Sequence, residues 1–366
     1  MSFSFKIQAK DGQARAGFLD TPHGTVKTPF FMVVATAASV KGMTIGQLHA
    51  TRARVLLANA YHLSIRPGAE AVAERGGLAA FMGWHGPTLT DSGGYQIFSL
   101  ARRRRLTPDG VLFNNHIDGR KLLLTPEGAV EIQSLLGADI MMCLDVCPPA
   151  GADRAEHENA LRLTHAWAGR SRRIWKNEGK QALFGIVQGG LSEELRQESA
   201  DFLTRLDFPG YGIGGVAVGE STPDIRRIVS YTASRLPDTK PRYLMGVGTP
   251  RDIIEAVAAG IDMFDCVMPT RHARHFQAFT SRGPINLRNA CFARDDQPIE
   301  DGCDCETCLS VSRAYLRHLA ILGEIMASVW LTIHNVRFYL RLLESLRSAI
   351  LAGRLAETGR CLYPGD

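Results

Sequence analysis

Three cysteines stand close together in the run Cys303-Asp-Cys305-Glu-Thr-Cys308, with histidines downstream. Three soft thiolates and one imidazole form a ligand set that suits tetrahedral zinc, and a full set of four leaves no open position for water. Such a site folds the chain around it and does no chemistry. His334 and His318 are both available as the fourth ligand, and spacing alone does not choose between them. The chemistry is to be sought elsewhere. Aspartates recur where short apolar runs stop: Leu89-Thr-Asp91, Met142-Cys-Leu-Asp145 and Asp262-Met-Phe-Asp265. Two carboxylates across one bond are the equipment for substitution at an anomeric carbon. One attacks the oxocarbenium-like centre while the other moves protons on the leaving group.

The residues around these aspartates suggest a flat, polar-edged ligand. Asp91 is followed by Ser92-Gly93-Gly94-Tyr95-Gln96, where the glycines admit close backbone approach and Tyr95 offers an aromatic face. Asp145 and Gln188 add a carboxylate and an amide. A carboxylate accepts from ring N–H and amino donors, and an amide both accepts and donates, so the pair suits the edge of a purine.

Positioning these groups requires a scaffold that brings distant strand ends to one place. Apolar runs at 30–34, 55–58, 88–90, 140–144, 183–187, 211–214, 243–246 and 263–266 are mostly followed by helical stretches such as 126–136, 192–206 and 250–259. Thr125 and Thr249 are N-cap candidates, each with proline next in the chain. Eight strand-then-helix units indicate an α/β fold, a (β/α)8 TIM-type barrel whose working groups sit at the C-terminal ends of the strands. Those ends carry Asn59, Asp91, Asp145, Gln188, Gly215 and Asp265. A doubly wound open sheet is the alternative, but no glycine-rich phosphate loop follows the first run. After the eighth run the character changes to a loop-rich stretch holding the cysteines, then to strongly helical sequence. The expected division is a catalytic barrel over 1–279, a zinc-binding subdomain over 280–345, and a C-terminal helix and tail over 346–366.

A chain of 366 residues fits one large barrel-type domain or two average ones, and 45% hydrophobic content is ordinary for a protein that buries a full core. No run approaches the roughly 20 apolar residues of a membrane span. The start, Met-Ser-Phe-Ser-Phe-Lys, has no apolar signal core, so the chain is expected to be cytoplasmic. The eight cysteines then read as one metal cluster plus buried thiols rather than disulfides. The net charge is +5, and the positive residues are clumped at Arg102–Arg105, Arg170–Arg173 and Arg271–His275. One such run usually marks a solvated face. Several together admit a polyanion as partner.

Longer segments carry a resemblance to a known family. Asn59-Ala-Tyr-His-Leu-Ser-Ile-Arg-Pro-Gly68, Leu89-Thr-Asp-Ser-Gly-Gly-Tyr-Gln96, Phe184-Gly-Ile-Val-Gln-Gly-Gly190, Tyr243-Leu-Met-Gly-Val-Gly248 and Asp262-Met-Phe-Asp-Cys-Val-Met-Pro-Thr-Arg271 resemble tRNA-guanine transglycosylase. Ser312-Arg-Ala-Tyr315 and Thr332-Ile-His-Asn335 resemble its zinc subdomain. The resemblance runs from about Gly17 to about Gly353. It implies an enzyme, a homodimer with one structural zinc per chain, that replaces guanine at the wobble position of tRNAs with GUN anticodons. The incoming base would be 7-aminomethyl-7-deazaguanine (preQ1), a step of queuosine biosynthesis. By the same resemblance Asp265 matches the nucleophile that holds the RNA covalently, and Asp91 the general acid/base. Ser92, Gly93, Gly94, Tyr95, Asp145, Gln188, Gly215, Val218 and Glu220 match base-binding positions. Gly246, Thr249, Arg251, Thr270, Arg271 and Arg274 match RNA-binding positions. Cys303, Cys305, Cys308 and His334 match the zinc ligands, which selects His334 over His318. The branched Val218 resembles the bacterial form, which takes a small aminomethyl group, whereas the eukaryotic form has glycine there and takes bulkier queuine.

The chain also departs from the family pattern. Val146 stands where a glutamate is usual, which removes a carboxylate beside the base-binding positions. The segment Arg271-His-Ala-Arg-His275-Phe276 lacks the Asn-Gly that would make an easy turn after Arg274. Val33-Val34-Ala35 replaces Pro-Val-Gly, and Thr249 replaces a lysine. None of these touches Asp91 or Asp265. Two other readings compete: a glycoside hydrolase on the same barrel, and a non-catalytic RNA-binding paralogue. The first calls for a tryptophan-rich cleft, yet of four tryptophans only Trp84 lies near a strand end. The second sits poorly with retention of both carboxylates.

Overall fold

The computed structural model describes residues 3–100, 104–176 and 179–363. Eight parallel strands close into a barrel: β1 (Phe30–Val34), β2 (Leu56–Asn59), β3 (Thr88–Asp91), β4 (Ile140–Met142), β5 (Ala182–Val187), β6 (Gly210–Ile213), β7 (Arg242–Leu244) and β8 (Met263–Asp265). Closure is made by β8 pairing with β1, with Phe264 opposite Phe31 and Asp265 opposite Met32. Each of the eight runs expected from the sequence is one of these strands. Successive residues face opposite sides of the sheet, so Phe30 and Met32 fill the lumen with Leu57, Leu89, Met142, Phe184 and Met263. Phe31 and Val33 instead pack outward with the helices. Both faces are dry, which explains why the strands read as continuous apolar runs.

Helices Pro126–Leu136 and Pro250–Ala258 begin as expected. The Thr125 hydroxyl accepts from the Gly128 N–H at 3.0 Å, and Thr249 does the same for the Asp252 N–H at 3.2 Å. Two antiparallel sheets were not expected from the sequence. Ser4–Asp11, Ala14–Thr21 and Gly24–Thr28 form one, and its Leu19 and Val26 pack with the lumen residues. Arg15 anchors it through a buried ion pair with Asp262, just before β8. The other sheet (Arg104–Thr107, Gly110–Asn114, Lys121–Leu124) is inserted between β3 and the helix Pro126–Leu136.

Beyond β8, helix Met268–Arg274 leads into a hairpin (Gln277–Thr280, Gly283–Asn286), and then into the cysteine layer. That layer has its own apolar core, including Phe276, Ala278, Leu287, Leu316, Leu319 and Leu331. Helix Ile325–Leu351 runs unbroken across residues 345 and 346. Its first half belongs to the cysteine layer. Its second half packs Val336, Tyr339, Leu343 and Leu346 with Phe31 and Phe264 against the barrel wall. The two layers are therefore tied by a single helix.

Candidate active site and metal centre

Asp91 and Asp265 both end barrel strands and face the same mouth. Four donors converge on Asp91. The Ala60 and Gly93 N–H groups reach Oδ1, each at 3.2 Å, while Asn59 Nδ2 (2.7 Å) and Gln96 Nε2 (2.9 Å) reach Oδ2. Burial pushes the Asp91 carboxyl up to about 7, and the charge of Asp265 adds to the rise, while the donors oppose it. A carboxyl so placed can both hold and release a proton near neutrality.

Asp265 Oδ1 accepts from the Tyr243 hydroxyl at 2.6 Å and the Gly246 N–H at 2.9 Å. Gly246 adopts φ +74°, in the left-handed region that favours glycine, in the turn after β7 that brings this N–H to Asp265. Burial raises the Asp265 pKa and both donors pull it back. Tyr243 is itself buried and, with an anion beside it, titrates well above its ordinary range, so it stays a donor.

On β5 and the segment after β4, between β3 and β8 in the barrel order, lies a second polar group. Gln188, at the end of β5, donates through Nε2 to Asp145 Oδ2 at 2.7 Å, and both side chains are buried. Burial raises Asp145 to about 6, which the Gln188 bond opposes. Gln188 Oε1 is buried with no hydrogen-bond partner among the described residues. An orphaned acceptor costs free energy unless a ligand donor meets it. Gly215, at φ +63°, lies so close to Gln188 Oε1 that any Cβ there would collide with it. Gly94 approaches from the other side, where a Cβ would stand 3.1 Å from the Asp145 carbonyl oxygen. Ser92 is buried and its hydroxyl accepts from the Gly94 N–H, whereas Tyr95 is 53% exposed. Glu220 Oε2 accepts from the Ala217 and Val218 N–H groups at 2.9 and 2.8 Å, which ties down the loop after β6.

The sequence reading missed Arg196. Its guanidinium is fully buried and donates to four carbonyls, those of Val187, Gly190, Gly214 and Gly215, at 2.7–3.0 Å. It thereby holds the glycine segments after β5 and β6 against each other. Nothing in its helical surroundings signals this, because the partners are backbone atoms. Tyr243 was also missed, although it lies in a segment that the resemblance quotes. Val146 is buried in an apolar cluster with Tyr61, Leu144 and Trp167, and its N–H donates to Thr164 Oγ1 at 3.0 Å.

The residues expected to contact RNA divide by exposure. Arg271 and Arg274 are exposed on helix Met268–Arg274, directly after Asp265, with Arg274 also donating to the Thr270 carbonyl at 3.0 Å. Thr270 is buried. The Thr249 hydroxyl caps its helix, and Arg251 pairs with Glu255 at 2.7 Å. Where Asn-Gly is missing, Phe276 makes the turn at φ +60°. That conformation costs a non-glycine residue roughly 1 kcal/mol. Packing holds it: the ring is buried in the cysteine-layer core, with the Arg288 guanidinium 4.4 Å from its centroid. Of the run Arg102–Arg105, Arg102 and Arg103 lie outside the described residues.

The metal ligands do converge. The Sγ atoms of Cys303, Cys305 and Cys308 lie 3.8, 3.7 and 3.3 Å from His334 Nδ1, and all four ligand atoms fall within 4.8 Å of one another. Around a tetrahedral ion at about 2.3 Å to sulfur and about 2.1 Å to nitrogen, neighbouring ligand atoms stand roughly 3.6 Å apart. The donor set fits one structural zinc. The other ring nitrogen, Nε2, lies 2.8 Å from the Phe279 carbonyl; donating there leaves Nδ1 free for metal. His318 is exposed and outside the cluster.

A closed (β/α)8 barrel with paired strand-end carboxylates, an amide–carboxylate reader beside them and a Cys3His zinc site defines a metal-stabilised barrel enzyme. The family model for queuine tRNA-ribosyltransferase matches residues 10–362, and the chain belongs to that family. Similar proteins include queuine tRNA-ribosyltransferases of Novosphingobium aromaticivorans (50% identical over 97% of this chain and 96% of that protein) and Thermoanaerobacter sp. strain X514 (49%, 97% and 96%). That of Sorangium cellulosum is 52% identical, over 98% of this chain and 91% of its own length. Among the described residues no helix is long and apolar enough to cross a membrane.

Proposed function

We propose that this chain exchanges guanine at the anticodon wobble position of GUN-anticodon tRNAs for 7-aminomethyl-7-deazaguanine, a step of queuosine biosynthesis. The observation that carries the reading is the buried, unpartnered Gln188 Oε1 beside Asp145, at the ends of strands that fall between those of Asp91 and Asp265 in the barrel order. A guanine-type edge supplies donors for both oxygens. Asp265 attacks ribose C1′, forming an ester-like C–O bond as the C1′–N9 bond breaks, and Asp91 gives a proton to the departing guanine. Asp91 then takes the N9 proton of the incoming base as that nitrogen displaces Asp265 from C1′. No net charge or redox equivalent is left over. Tyr95 stacks on the base, and the exposed Arg271 and Arg274 contact RNA beside it. Cys303, Cys305, Cys308 and His334 would hold a zinc that stabilises the fold and takes no part in these chemical steps.

A homodimer is supported by the apolar side chains exposed on the cysteine layer, among them Leu309 (74%), Ile325 (80%), Tyr315, Ile321, Leu322 and Met326. A cytoplasmic location suits a thiolate zinc site and eight unpaired cysteines. The test is incubation with a wobble-guanine tRNA and labelled guanine, followed by a denaturing gel. The wild type incorporates label and shows an enzyme–RNA adduct. Asp265→Asn shows neither and keeps its tRNA affinity, since an amide cannot attack while phosphate contacts persist. An adduct in that variant would remove Asp265 as nucleophile.

A further inference from the structure

Asn59 connects Asp91 to a histidine that no step above uses. Its Nδ2 donates to Asp91 Oδ2 at 2.7 Å, while its Oδ1 lies 2.9 Å from His62 Nδ1 and 3.3 Å from the His62 N–H. The hydrogen-bonding roles follow from the carboxylate outward. An ionised Asp91 only accepts, so Asn59 must turn its NH2 toward it and its carbonyl toward His62. The imidazole must then carry its proton on Nδ1. Its pKa is lowered by burial, and the His116 and Lys41 charges act in the same direction. A neutral ring has one N–H, which sits on Nδ1 or on Nε2.

The same chain of bonds has a second self-consistent arrangement. Oδ1 of Asp91 faces two fixed backbone donors, the Ala60 and Gly93 N–H groups, so a proton on Asp91 belongs on Oδ2. There it meets Asn59 Nδ2, donor against donor, unless the amide turns over. Turned over, Asn59 Oδ1 accepts the Asp91 proton and Nδ2 donates to an unprotonated His62 Nδ1. The Gln96 amide still has an Oδ2 lone pair to meet. One proton leaves Nδ1 to solvent and another is taken up at Nε2, so the half-buried ring stays neutral throughout. The capping bond from the His62 N–H to Asn59 is the interaction given up in this second state.

We propose that His62 is a positioning residue for the exchange reaction: through Asn59, its tautomer sets whether Asp91 faces a donor, as it must when ionised, or an acceptor, as it must when it stores the proton between half-reactions. The inference rests on Asp91 being the general acid/base. It concerns how that carboxyl accommodates its proton, which the fixed backbone donors at Oδ1 cannot do. The charged and titratable groups around the pair are Asp265 and Tyr243 across the mouth, and His116 and Lys41 beside the imidazole. His116 is bound at Nδ1 by the Tyr61 hydroxyl, at 2.7 Å.

The test is the ring tautomer of His62, read from imidazole 15N shifts of the wild-type enzyme across pH and compared with Asn59→Ala. The proton is expected on Nδ1 where Asp91 is ionised and should move to Nε2 as Asp91 takes up its proton, while in Asn59→Ala the tautomer should no longer follow Asp91. A wild-type tautomer that stays the same while Asp91 titrates, or one that still follows Asp91 without Asn59, would overturn the proposal. Absence of an adduct in the wild type would instead count against the exchange reaction itself, so the two failures are distinguishable.

Discussion

Removing one oxygen atom, in Tyr243→Phe, tests whether Asp265 is the attacking group. The Tyr243 ring is 1% exposed and packs with Met32, Phe184 and Met263, so phenylalanine keeps the shape of the lumen. What disappears is the 2.6 Å bond to Asp265 Oδ1, while the Gly246 N–H continues to donate to that oxygen. A hydrogen bond to a charged group is worth about 1.5–3 kcal/mol, and one pKa unit corresponds to about 1.4 kcal/mol. The Asp265 pKa, already raised by burial, should therefore rise by a further ~1–2 units. Attack on C1′ requires the ionised form. The acid limb of adduct formation should move to higher pH by that amount, with rates converging where both proteins are ionised.

Stability should follow the same sign. An aspartate whose folded-state pKa lies above its unfolded value binds protons more readily when folded, so the fold loses stability as pH rises through that window. The variant extends the window upward. Its deficit relative to wild type should be largest where Asp265 is ionised and should shrink as pH falls through the raised pKa values of the two proteins. The assays are adduct formation on denaturing gels across about pH 5–8.5 and urea melts at the two extremes. An acid limb that stays in place while the variant remains folded would refute the assignment of Asp265 as nucleophile.

Two other outcomes follow from the geometry. Cys305→Ser should lose stoichiometric zinc and lower the melting temperature, with the earliest protease cuts in the cysteine layer; a zinc-free wild type by metal analysis would exclude the site. Arg271→Ala should raise KM for tRNA while sparing the free base. Tested at two salt concentrations, its salt slope should fall by about one if the side chain meets phosphate and stay unchanged if it meets a base edge, and a wild-type KM would remove it from the interface.

What could be read from the sequence was what has a local signature. The barrel strands are legible because parallel strands dry on both faces must be continuous apolar runs, and their polar ends mark the mouth. The caps at Thr125 and Thr249 are legible because a hydroxyl before proline has one common use. The N-terminal sheet was not legible: Ser4–Asp11 has half-buried and exposed residues and no fully buried one, and its partner Ala14–Thr21 is buried on both sides by a barrel that lies elsewhere in the chain. Arg196 was invisible for a related reason. A buried guanidinium bound to four carbonyls has no partner side chain to betray it. Thr249 and Arg251 also do something that the resemblance does not name: their side chains hold the helix start together.

The motif Thr332-Ile-His-Asn335 shows how the metal and the chemistry are joined. His334 gives Nδ1 to the cysteine cluster, and its Nε2 lies 2.8 Å from the Phe279 carbonyl. Asn335 accepts from the Phe279 N–H at 3.0 Å and donates to the carbonyls of Pro269 and Gln277, both at 3.0 Å. Both backbone groups of Phe279 are thus held by adjacent side chains of one helix. The segment so fixed, residues 269–279, begins four residues after Asp265 and carries Arg271 and Arg274. A zinc that orients His334 therefore orients the peptide that presents those arginines, without touching either carboxylate. Loss of metal should then weaken tRNA binding more than it disturbs the Asp145–Gln188 pair, which is built on β5 and the segment after β4.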